Sequence, residues 1–203
     1  MSLPHICPAG LAGGLDNKLR QWIQNPHTIL SPHVCPGMAA MDLGCGPGYF
    51  TLEMARLAGP QGRVLAVDRQ QGMLDRLTTK LHNTELADRV IPHRCGPTDL
   101  KLPSTASLDF ILAFYMIHEV PYQDRLFRQL AAALKPGGKL LMVEPFFHVT
   151  AREVRDSLKF AKQAGLLVWE GPAMRLQHTA ILTRPALPLG KGTGSCYSPG
   201  HSN

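Results

Sequence analysis

Residues 39–58 read AAMDLGCGPGYFTLEMARLA: an apolar run, a turn with glycine at every second position, then apolar residues at helical spacing. A buried strand that passes through so tight a turn directly into a helix is the opening unit of a β-α-β arrangement. Gly44 permits the sharp exit from the strand. Gly46 and Gly48 let ligand atoms approach the main chain with no Cβ in the way. The N–H groups of that turn, with the positive end of the following helix, favour an anionic group there.

The rest of the chain repeats the unit. RVLAVD (63–68), RVIPHR (89–94), LDFILAF (108–114) and KLLMVEP (139–145) are short, continuous apolar runs, the pattern of strands buried on both faces. Helical stripes lie between them. Phe50, Met54, Leu57 and Ala58 form the first, stopped by Gly59–Pro60, and Met73, Leu74, Leu77 and Leu81 form the second. Leu126, Leu130 and Leu134 precede KPGG, and Val154, Leu158 and Ala161 precede Gly165. The expected fold is α/β, a doubly wound and mostly parallel sheet. LLVWE (166–170) and LQHTAILTR (176–184) follow one another with no helix between, which predicts an antiparallel C-terminal hairpin at one edge. One domain over 15–184 is expected, with a flexible 1–14 and a disordered Gly/Pro/Ser-rich 185–203.

Composition excludes several classes. The longest apolar run, Phe110 to Ile117, is far short of the ~20 residues that span a bilayer. No charged-then-apolar leader opens the chain, so a cytoplasmic protein is expected. Five scattered cysteines contain no C-x-x-C pair, which supports neither a metal site nor a disulfide framework. The net charge of +6 is spread thinly: residues 1–150 carry 14 Lys/Arg against 12 Asp/Glu. Nucleic acid is therefore not an expected partner, and oligomeric state is not legible.

The glycine spacing then selects a cofactor class. A dinucleotide fingerprint starting at Gly44 needs glycine at 49, where Tyr49 stands, and no G-K-[ST] follows for a P-loop. MDLGCGPGYF instead resembles the first motif of the class I S-adenosylmethionine-dependent methyltransferases, an acidic residue followed by G-x-G-x-G. VLAVDRQQGML resembles their second motif and LKPGGKLLMVEP the passage into their fifth strand. LDNKLRQWIQNP resembles a cap helix, placed over 15–31, found in relatives of the quinone-biosynthesis (type 11) enzymes. The resemblance covers about 15–184 and implies a Rossmann-like fold, with S-adenosyl-L-methionine as cofactor.

Residue by residue, it implies that Asp42, Gly44, Cys45, Gly46 and Gly48 surround the methionine and ribose parts of the cofactor. Asp68, at a strand end, accepts hydrogen bonds from the ribose diol. Arg69 and Met73 lie near the adenine. Relatives carry an acidic residue where this chain has Gly96, so adenine recognition falls to Gly96, Pro97 and Thr98. Ala113 and Phe114 close the cofactor site from the fourth strand. His118 is the candidate general base, with Glu119 beside it and His148 a second candidate. Phe146 and Phe147 are candidates to line an acceptor pocket, and Arg20 or Trp22 to meet the cofactor or acceptor. The leading reading is a methyltransferase for a small-molecule acceptor. An RNA or protein methyltransferase, or a cofactor-binding protein without catalysis, stays open beside it.

Overall fold

The computed structural model describes residues 24–102 and 107–186. Seven strands form one sheet: β1 (Ala39–Leu43), β2 (Arg63–Asp68), β3 (Val90–Arg94), β4 (Leu108–Phe114), β5 (Leu134–Pro145), β6 (Leu167–Glu170) and β7 (Gln177–Thr183). Their order is β3-β2-β1-β4-β5-β7-β6. The first five run parallel; β7 is antiparallel to β5, and β6 to β7. The mostly parallel sheet and the C-terminal hairpin are as the sequence predicts.

Period-two alternation sorts the strand residues between two cores. Ala40, Val64, Ala66, Phe110, Leu112, Leu141 and Val143 face one way. There they meet α1 (Pro26–Leu30), α2 (Thr51–Ala58) and α3 (Gln71–Leu81). Met41, Leu43, Leu65, Val67, Ile111, Ala113, Leu140 and Met142 face the other way. They meet α4 (Gln123–Ala133) and α5 (Ala151–Gln163). The helices change face between β1 and β4, so the strand order reverses there. The carboxyl ends of those two strands diverge into a crevice at this switch point, where open α/β sheets hold ligands.

Two expectations are corrected. The cap helix expected over 15–31 does not reach residue 31 as one piece. Asn25 has extended backbone, and its side chain accepts from the N–H groups of His27 and Thr28 to start α1 afresh, with Pro26 in the first turn. Residues 15–23, including Arg20 and Trp22, the expected flexible 1–14, and all of the expected disordered 185–203 beyond residue 186 lie outside the described residues. The helix ending at KPGG stops at Ala133 rather than Leu134. Leu134 is extended and pairs with Leu108 in the sheet. Pro136 disfavours helical backbone at Lys135 and has no N–H to give. Lys135 is held by Asp109, whose carboxylate also accepts from the Ala39 N–H, at 2.9 Å.

Candidate active site

A cleft of about 420 Å³ opens at the switch point. Of the residues expected there, it brings together Asp42, Gly44, Cys45, Gly46, Asp68, Arg69, Met73, Gly96, Pro97, Thr98, Phe114 and His118. Gly48 and Ala113 do not line it. Ala113 is fully buried in β4, paired with Leu43 on one side and Met142 on the other. Phe147 lines the cleft but Phe146 does not; its ring packs on His178 instead.

The glycine turn does not work as an anion cradle, and this corrects the expectation above. The N–H groups of Gly44 and Cys45 donate to the Val67 carbonyl at 2.8 and 3.0 Å. That of Gly46 donates to Asp68 Oδ2 at 2.9 Å. The anion at this turn is the protein's own carboxylate. Gln70 N–H donates to Asp68 Oδ1 at 2.8 Å, so both oxygens are fixed while the group still lines the cleft. Asp42 is 2 % exposed and accepts from the Thr51 hydroxyl at 2.6 Å.

The glycines serve different ends. A Cβ on Gly46 would meet nothing within 4 Å, whereas one on Gly48 would stand 2.5 Å from Leu77 Cδ1. Gly46 clears space for a ligand, while Gly48 lets α3 pack against the turn. Both have positive φ, +53° and +88°, so alanine at either place costs about 1 kcal/mol in backbone strain. Gly48→Ala adds overpacking of about 1–3 kcal/mol. We therefore expect Gly48→Ala to lower the unfolding midpoint the more, and Gly46→Ala to weaken ligand binding the more. Denaturant unfolding and calorimetry on the two variants measure this; equal effects on both quantities would refute the division.

Charge and aromatic surface define the ligand class. Asp42, Asp68, Asp99 and Glu119 line the cleft, against Arg69 as the permanent cation among its described residues. An aromatic cluster adjoins the turn, two of its members following Gly48 directly in the chain. Phe50 and Phe114 have ring centroids 4.4 Å apart, as do Phe114 and Tyr115, and Tyr49 meets Phe50 edge-on at 5.0 Å. Acidic groups and ring faces suit a cation and oppose a pyrophosphate. A ligand with a sulfonium and an ammonium group, a diol for Asp68 and no phosphate fits this lining.

Several residues of the cleft and its support carry no local signal of their role. Tyr49 in sequence serves only to exclude a dinucleotide; in the fold its hydroxyl donates to the Gln24 carbonyl, and Gln24 Nε2 donates to the Tyr115 hydroxyl. Gln129 on α4 pins the 96–100 loop, accepting from Leu100 N–H at 2.7 Å. Asp99 reaches the cleft three residues beyond Gly96. Glu144 gives no signal because it sits inside an apolar run; it is 1 % exposed and bonds His118 Nδ1.

Burial pushes the Asp68 carboxyl above its ordinary value, against the N–H groups of Gln70, Gly46 and Arg69, which favour the anion. An ionised Asp68 is the better acceptor. Ligand affinity is therefore expected to fall as pH drops through that raised value, beginning above the range of an ordinary aspartate. Calorimetry across acid pH, with Asp68→Asn losing the dependence, measures it. Cys45 is buried, and burial, then Asp42 and Asp68, drive its thiol far up, so it stays protonated and inert. No three His, Cys, Asp or Glu among the described residues could hold a metal ion.

Comparison with known proteins agrees with this geometry. A family model described as a methyltransferase domain matches residues 40–138. The ubiquinone/menaquinone biosynthesis C-methyltransferase UbiE of Shewanella frigidimarina is 32 % identical over 146 residues, 70 % of this chain and 58 % of that protein. The chain belongs to the class I S-adenosylmethionine-dependent methyltransferases. S-adenosyl-L-methionine is the cofactor that goes with this family. The crystal structure of an S-adenosylmethionine-dependent methyltransferase from Aquifex aeolicus superimposes with TM-score 0.77 at 19 % identity, covering 88 % of this chain and all of that one. The cyclase SpnF superimposes with TM-score 0.65 at 16 % identity, covering 81 % of this chain and 82 % of that one. The chain therefore shares its fold with a protein named for another reaction, so the fold does not by itself fix the activity. It also spans a little over half the length of the curated relatives that it matches.

Proposed function

We propose that this protein transfers a methyl group from S-adenosylmethionine to a small, partly apolar acceptor of the quinol type, at a ring carbon. The observation that carries the cofactor half is the cleft itself: carboxylates fixed around a glycine turn whose own N–H groups are already engaged, with aromatic rings beside it. The cofactor supplies an activated methyl on a sulfonium, whose bonding pair leaves with a neutral thioether, so the protein's task is alignment. Asp68 receives the ribose diol, Gly46 leaves room for it, and Asp42 orients the amino end through the turn. Gly96, Pro97 and Thr98 flank the adenine with Met73 and Arg69, and Phe114 closes the far side. The cation faces acidic groups and rings throughout.

The acceptor half rests on the similarity to the UbiE proteins and on the chemistry at the cleft mouth. His118, Phe147 and the half-exposed Tyr122 line the part of the cleft beyond the glycine turn. A planar apolar ring with a hydroxyl suits rings and an imidazole. An acidic lining disfavours a nucleic-acid backbone, which supports a small molecule over RNA. No helix among the described residues is long and apolar enough to cross a membrane. Work from the cytoplasmic side is part of the proposal.

Calorimetry with S-adenosylmethionine, S-adenosylhomocysteine and NAD tests the first half. Binding of both adenosyl ligands with NAD silent is the expected result, and NAD binding would overturn it. Incubation with labelled cofactor and a panel of demethylated benzoquinols and naphthoquinols tests the second. Label on a ring carbon supports the proposal. Tight binding with no transfer to any acceptor class favours the non-catalytic alternative.

A further inference from the structure

His118 forms a wall between the cleft and a second cavity of about 300 Å³ behind it. It stands on a single 3₁₀ turn, Ile117–Glu119, between β4 and α4. Beneath that turn Glu144 of β5 uses both carboxylate oxygens. Oε1 accepts the Ile117 N–H at 2.9 Å, and Oε2 bonds His118 Nδ1. One oxygen thus anchors the turn while the other fixes the ring. The His148 ring meets the imidazole edge-on, with centroids 5.0 Å apart, and limits its rotation. With Nδ1 committed to a carboxylate, Nε2 is the nitrogen left for exchange, and the neutral ring carries its proton on Nδ1.

We propose that Glu144 is the positioning residue for His118, holding the imidazole so that Nε2 takes a proton from the hydroxyl of the methyl acceptor. The acceptor is then a phenol or enol rather than a thioether or a tertiary amine, which have no proton to give. The hydroxyl proton moves to Nε2, and its bonding pair stays on the acceptor. That pair makes the oxygen, or a ring carbon conjugated to it, the nucleophile that takes the methyl as its bond to sulfur breaks; where carbon attacks, the proton on that carbon then leaves, the oxygen regains one, and the ring is aromatic again. The resulting imidazolium lies against the Glu144 carboxylate and later returns its proton to water. The identity of the acceptor rests on the methyltransferase reading; the Glu144–His118 geometry does not.

The charged and titratable groups near the ring come from five places. Glu144 belongs to β5, Glu119 to the same turn, and Glu153 and Asp156 to α5. Asp124 opens α4, and His148 lies between β5 and α5. Burial works against the imidazolium, but Glu144 first, then Glu119 and Glu153, outweigh it and raise His118 above its ordinary value. The free base therefore gains population as pH rises through that raised value.

The test is a histidine ¹⁵N NMR titration of the full chain, with His118→Asn to assign the resonance. The wild-type ring is expected to titrate above ordinary histidine, with the neutral form protonated on Nδ1. Glu144→Gln is expected to lower the midpoint by about one unit or more, since the opposite charge is gone. Its amide can also donate to Nδ1, which moves the neutral proton to Nε2 and blocks exchange there. A neutral wild-type ring protonated on Nε2, or a midpoint unmoved in Glu144→Gln, would overturn the assignment. If Glu144→Gln does not fold, Glu144→Asp keeps the charge but shortens the reach, and an unchanged tautomer with an unchanged midpoint overturns it equally. These readings stand whether or not methyl transfer is detected. With a benzoquinol probe, kcat/KM should rise through the NMR midpoint and shift with it in the variant; a profile flat through that midpoint argues against the role.

Discussion

Replacing Asp68 by alanine is expected to weaken S-adenosylmethionine binding about a hundred-fold or more. Two hydrogen bonds to a charged acceptor contribute about 1.5–3 kcal/mol each, and about 1.4 kcal/mol is a factor of ten. The loss is not confined to the ligand. Asp68 also accepts the N–H groups of Gly46 and Gln70, so its removal leaves the turn and the start of α3 without their acceptor. Asp68→Asn keeps the shape and one acceptor oxygen and should fall between the alanine variant and wild type. Calorimetry with S-adenosylhomocysteine, alongside a thermal melt to show that the variant is folded, measures both. Unchanged affinity in folded Asp68→Ala would remove the central contact of the proposed cofactor site.

A different outcome is expected for Phe127→Ala. Phe127 is fully buried on α4, beneath the sheet face opposite to α2 and α3. Truncating it removes an aromatic ring from a close-packed core and should cost about 3–5 kcal/mol of stability. Phe127 does not line the cleft, so cofactor affinity should stay within a few-fold of wild type at temperatures where the variant is folded. Urea unfolding gives the first number and calorimetry the second. A loss below ~1 kcal/mol would show that this core collapses around the gap.

The two variants probe different parts of the chain's information. The layering of the fold is legible in the residue pattern, because the central strands β1, β2 and β4 are buried on both faces and each long helix repeats its apolar stripe every three to four residues. Ala40 and Met41, or Phe110 and Ile111, are neighbours in sequence and members of opposite cores. The position of Asp68 is legible for a local reason as well: it ends a strand that must lie beside the glycine turn. The hydrogen bonds around that turn are not. Residues that look like an anion cradle in sequence have spent their N–H groups on Val67 and Asp68.

Sequence by itself therefore determined the mostly parallel sheet and its C-terminal hairpin, and its glycine turn carried the resemblance to the methyltransferases, while the switch point between β1 and β4 came with the strand order of the fold. The sheet and hairpin rest on periodicity within a few residues, and the methyltransferase reading on the resemblance of short motifs. Tertiary structure alone decided that Gly48 serves the packing of Leu77, that Gln24 joins Tyr49 to Tyr115, and that Glu144 holds His118. Each of those pairings spans tens of residues and depends on which strands lie side by side and in what register. A buried glutamate inside an apolar strand has no local pattern to announce it. Its role exists only once β4 and β5 are adjacent and the turn after one lies over the end of the other.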